Sequence, residues 1–96
     1  MASGTASPNY HSTLTTSTVD TVTMSTDWEV IQVINRSGTA EIYYTVDGSA
    51  PTIGGANCRM LPASICADQA ANITNSAGTV KLISTGTPTY SVIGGL

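Results

Sequence analysis

The chain has 96 residues, of which 41% are hydrophobic but only 9% charged, and its formal net charge is −3. That length holds one domain with a modest core. Three basic residues, Arg36, Arg59 and Lys81, cannot build the clustered phosphate-binding surface that a nucleic-acid partner requires. No apolar run approaches the roughly eighteen residues of a membrane span; the longest, such as "VIQVI", are strand-sized.

Ser and Thr fill the places that charges usually take. Thr is β-branched and suits a pleated surface, so the composition points to an all-β chain. There is no Phe, and the aromatics are Trp28, Tyr10, Tyr43, Tyr44 and Tyr90. The core is therefore built from Val, Ile, Leu and Ala, and a chain with so thin a core is expected to gain stability from a partner. The start "MASGTASPNYHSTLTT" has neither a basic nor an apolar signal region, so synthesis and retention in a cytoplasm are expected.

Residues 1–17 are mostly Ser, Thr, Ala and Gly and predict a flexible arm, with Tyr10 and Leu14 as its anchors. Those two positions share parity, so an extended arm places both on one face. Residues 18–96 predict a single domain. Strand signals begin at "TVDTVTM" (Thr18–Met24) and continue in "WEVIQVI" (Trp28–Ile34), apolar on both faces and therefore central. "NRSG" then turns the chain into "TAEIYYTV" (Thr39–Val46), a predicted hairpin. The Gly-rich loop "DGSAPTIGGAN" leads to a short strand at Cys58–Pro62. A helical turn near Ala63–Ala67 and a short strand near Ala70–Thr74 are expected next. "TVKLIS" (Thr79–Ser84) and "TYSVIG" (Thr89–Gly94) form a second predicted hairpin across "TGTP". Seven or eight short strands at this spacing predict an antiparallel sandwich or a small barrel.

The chemistry-bearing residues do not converge in the sequence. The single histidine, His11, lies in the arm, and the carboxylates Asp20, Asp27, Glu29, Glu41, Asp47 and Asp68 are scattered singly. Cys58 and Cys66 do not match zinc-ligand spacing and are expected as free thiols in a cytoplasm. No catalytic residue, metal ligand or cofactor site is assigned, and the chain reads as non-enzymatic.

"EIYYTVDGSAPT" (Glu41–Thr52) alternates through Ile42, Tyr44 and Val46, then enters an Asp-Gly turn. Asp47 can bond forward to a backbone N–H, and Gly48 takes positive φ freely. The stretch resembles the Y-x-x-D-G-x-x-P-T signature of the chitobiase C-terminal-like domains, small immunoglobulin-like sandwiches appended to secreted carbohydrate-active enzymes. That resemblance implies a small antiparallel β-sandwich, immunoglobulin-like or jelly-roll-like, with a structural turn at Asp47, Gly48 and Pro51 rather than a sugar site.

A longer stretch, "VTM…DWEVIQVINRSGTAEIYYTVDGSAPTIGGANCRMLPASI…GTVKLISTGTPTYSVIGG" (Val22–Gly95), resembles small Thr/Gly-rich proteins encoded among the head genes of tailed bacteriophages, especially those of actinobacteria. It implies a virion structural protein on the capsid surface, made in the host cytoplasm. The expected role is head decoration: a homo-oligomer such as a trimer, seated on the major capsid protein and stabilising the lattice. Interface residues expected on this reading are Tyr10 and Leu14 in the arm and Ile53 and Asn57 in the long loop. The alternatives are a head-fibre or tail component, and a carbohydrate-binding module that stacks a glycan on Trp28 and Tyr43. Trp28 opens an apolar strand and is expected in the core or under a loop.

Overall fold

The computed structural model describes residues 3–6, 9–25, 30–71 and 79–94. Trp28, Asp27 and Glu29 lie outside them, as does the end of the strand expected at Ala70–Thr74. Nine strands run through the described residues: β1 (Ser3–Ala6), β2 (Asn9–Thr13), β3 (Asp20–Met24), β4 (Val30–Asn35), β5 (Ile42–Thr45), β6 (Arg59–Leu61), β7 (Cys66–Ala71), β8 (Thr79–Ile83) and β9 (Thr89–Gly94). They form a five-stranded sheet in the order β1-β3-β8-β5-β6 and a four-stranded sheet in the order β2-β9-β4-β7. The two sheets pack as a small all-β sandwich, with only the β1–β3 pair parallel.

The period-2 pattern explains the layering. Val22 and Met24 from β3, Ile42 and Tyr44 from β5, Leu61 from β6 and Val80 and Leu82 from β8 face inward from one sheet. Ile31 and Val33 from β4 and Tyr90 and Val92 from β9 meet them from the other. Burying each such aliphatic chain contributes about 1.5–3 kcal/mol, the main force holding the layers together.

Two tyrosines link the layers as struts. Tyr44 on β5 donates its hydroxyl to Asp68 Oδ2 on β7 at 2.5 Å, and Tyr90 on β9 donates to Asp20 Oδ2 on β3 at 2.9 Å. Both tyrosines are fully buried, and each phenol reaches the opposite sheet. A buried hydroxyl needs such a partner, so these bonds fix how the sheets sit on each other.

Neither expected hairpin forms. β4 and β5 lie in different sheets, and so do β8 and β9, so both short connections are corners between layers. The buried Asn35 makes the first corner: its amide donates to the carbonyls of Ala40 (2.9 Å) and Pro62 (3.0 Å), and its Oδ1 accepts from Gly38 N–H (3.0 Å). Gly38 has φ +67°, and a Cβ there would meet the Ser64 backbone at 2.8 Å. The second corner packs on the first through Ser84 Oγ to Glu41 O (2.6 Å) and Thr89 N–H to Ser37 Oγ (3.0 Å).

The arm is also reassigned. Ser3–Ala6 and Asn9–Thr13 are edge strands of the two sheets, paired with β3 and β9 of the same chain. The helical turn expected near Ala63–Ala67 is absent; Cys66 opens β7, which pairs along β4 from Asn35 to Val30. Ala-rich "CADQAA" has weak intrinsic strand preference, and the ladder with β4 overrides it.

Candidate functional site

The Asp-Gly turn closes on itself. Asp47 Oδ1 accepts from Ser49 N–H at 3.0 Å and from Ser49 Oγ at 2.6 Å, and these bonds hold the carboxyl below its usual range. Gly48 adopts φ +84°, as the turn requires. Thr45 Oγ1 donates to Ser49 O at 2.6 Å, Asn57 donates to Ser49 Oγ at 3.2 Å, and Pro51 is buried. The polar groups of this motif are committed to shaping the loop itself.

The residues expected at an interface divide into two groups. Leu14 is 1% exposed and belongs to the core, which corrects its placement on a docking surface. Tyr10 turns inward, its ring 6.3 Å from that of Tyr90 and directly over Gly4, where a Cβ would collide with it. Ile53 and Asn57 remain on the surface of the long loop. Exposed Met60 and Ile65 lie on β6 and in the β6–β7 connection. Asp68, beside Arg59 at 4.0 Å, sits at the mouth between the β6 and β7 edges.

The outer face of the four-stranded sheet was not anticipated. Register places Asn9, Ile93, Gln32 and Gln69 in one outward row and His11, Ser91, Ile34 and Ala67 in the next. Val30 lies on the same side beyond them. Among the described strand residues, this face carries no Asp, Glu, Lys or Arg, and its one titratable group is His11. His11 Nδ1 shares a 2.6 Å hydrogen bond with Ser91 Oγ, which pins the β2 edge down. Val30, Ile34 and Ile93 are half-buried even without a covering layer. The other outer face differs: it carries Lys81, and Tyr43 donates to Glu41 at 2.9 Å. The sequence signal was present in "VIQVIN", apolar on both faces, and it reflects both a central strand and an outward apolar stripe.

Among the described residues, no group of three or more His, Cys, Asp or Glu side chains is placed to hold a metal ion. Cys58 and Cys66 are both free thiols.

The family described as Fn3 associated matches residues 31–92, more than half of the chain. The chain belongs to the Fn3-associated family. The matched residues of this Fn3-associated chain run from β4 into β9, so they cover both corners, the Asp-Gly loop and part of the uncharged face, with Val30, Ile93, Asn9 and His11 outside. Membership agrees with an immunoglobulin- or fibronectin-like sandwich. β1, β2 and β3 lie outside the match. No curated protein and no solved structure matches the chain.

Proposed function

We propose that this protein is a virion structural module that decorates a phage head, docking on the major capsid protein through the outer face of its four-stranded sheet. The observation that carries the docking face is the absence of Asp, Glu, Lys and Arg from it among the described strand residues, with Val30, Ile34 and Ile93 set among the amides of Asn9, Gln32 and Gln69. Interface centres are distinguished by depletion of charge more than by bulk hydrophobicity. A lattice also multiplies modest contacts, so a face of this size serves when many copies engage together. The capsid partner itself rests on the resemblance over Val22–Gly95.

The carbohydrate alternative draws less support. Of the two rings it invokes, Trp28 lies outside the described residues and Tyr43 stands on the outer face of the five-stranded sheet with its hydroxyl bonded to Glu41, while Tyr44, Tyr90 and the inward-turned Tyr10 add no second exposed ring among the described residues.

The reading is tested by binding the purified protein to empty shells of the major capsid protein encoded with it. Ile34→Lys puts an unpaired ammonium at the centre of the face and is expected to weaken binding tenfold or more, about 1.4 kcal/mol or above. Thr23→Lys, on the exposed outer face of the other sheet, is expected to bind as the parent does. Equal binding by both variants contradicts the docking face, and a parent chain that ignores the shells contradicts decoration.

A further inference from the structure

β1 and β2 are the edge strands on one side of the sandwich, one in each sheet, and both come from the first thirteen residues. They lie against Val22 and Met24 of β3 and against Tyr90 and Val92 of β9. The segment supplies Ala6 and Leu14 to the core and places Tyr10 on Tyr90. Without it, that side of the core is open to water.

The segment joins the body only through residues 15–19, where Thr15, Thr16 and Ser17 are exposed. Ser17 has φ +52°, the one non-glycine residue with positive φ among the described residues. A left-handed serine is strained, and it is held there by Ser17 N–H to Ser84 O at 2.8 Å and by the turn from Thr18 N–H to Thr15 O at 3.1 Å. Opening this hinge to an extended conformation relieves the strain. At roughly 3.3–3.6 Å per residue, residues 15–19 then reach up to about 18 Å. Every contact the arm makes with its own body is available on a second copy, and a strained hinge favours that exchange.

We propose that residues 3–14 form an exchangeable arm, which fills the β3–β9 side of a neighbouring copy when the chains assemble, with Ser17 as the hinge. The occupant of that side is then the second copy's β1 and β2, and each sandwich is incomplete without the arm it receives. The exchange requires only a second copy of this chain and no capsid.

The test is a cysteine pair, His11→Cys with Ser91→Cys, in a Cys58→Ser, Cys66→Ser background. Residues 11 and 91 are direct register partners with touching side chains. Ser91 is 2% exposed, so a cysteine there meets residue 11 only when an arm lies upon it. Two populations of different mass, tagged at the C-terminus, are mixed, unfolded together in urea, refolded at a series of concentrations, oxidised, and resolved on non-reducing gels. Intrachain bonds are expected in dilute solution, with covalent dimers of mixed mass increasing as concentration rises. Ser17→Gly relaxes the hinge in the closed form and is expected to reduce the mixed dimer several-fold. Intrachain bonds alone at every concentration overturn the exchange, and a mixed-dimer fraction unchanged by Ser17→Gly overturns the hinge.

Discussion

Deleting residues 1–16 is expected to abolish cooperative folding of the isolated chain. The deletion removes β1 and β2, takes Ala6 and Leu14 out of the core, and uncovers Val22, Met24, Tyr90 and Val92. Losing a single buried leucine side chain already costs about 2–5 kcal/mol. A domain of this size holds about 5–14 kcal/mol in all, at roughly 0.05–0.15 kcal/mol per residue. The milder variant Leu14→Ala is expected to fold and to melt roughly 10–30 °C lower. Thermal unfolding followed by circular dichroism checks both. A truncated chain that melted like the full one, as expected of a flexible arm, would show that β1 and β2 add nothing to the fold.

Stability is expected to fall steeply above pH 10. Burial, and after it the hydrogen bonds to Asp68 and Asp20, raise the phenols of Tyr44 and Tyr90 above their ordinary value of 10.0. The unfolded chain loses these protons near pH 10 while the folded chain keeps them, so the unfolded state binds fewer protons. Stability is thus fully present below pH 10 and is lost as pH rises, by at most about 1.4 kcal/mol per pH unit for each tyrosine. Urea midpoints between pH 7 and pH 11 measure the slope. Tyr90→Phe is expected to cost about 0.5–1.5 kcal/mol at neutral pH, because the buried Asp20 loses one of its hydrogen-bonding partners. Tyr44→Phe is expected to cost less, since Asp68 keeps both Arg59 and access to water. Replacing both should flatten the alkaline slope, and an unchanged slope would mean that the struts do not titrate with unfolding.

The sandwich was legible because its central strands carry their own signals. "TYSVIG" spans β9 to the residue and "TVKLIS" marks β8 within one position, through alternating Val, Ile and Leu, while "WEVIQVI" (Trp28–Ile34) overlaps β4 (Val30–Asn35), its first two positions lying outside the described residues. The edges were not legible. "SGTA" and "NYHST" have little apolar content, and β2 is a strand because β9, some eighty positions away, offers it a ladder. The shared parity of Tyr10 and Leu14 was the correct hint, but those residues face their own core. The corners were missed because nothing in "NRSGTAE" distinguishes a hairpin from a change of layer. That choice is made by Asn35, whose amide reaches Pro62, a residue remote in the chain. The uncharged outer face was hidden for a related reason: an outward apolar residue and an inward one look alike until register assigns Ile34 and Val33 to opposite sides.

The most direct measurement is an image of the assembled particle at a resolution that traces the subunit. The expected result is a sandwich seated on the capsid lattice with Gln32, Ile34 and Ile93 at the contact and Lys81 of the other sheet facing solvent. A particle in which the four-stranded sheet faces solvent, or in which the subunit is absent from the head, would contradict it.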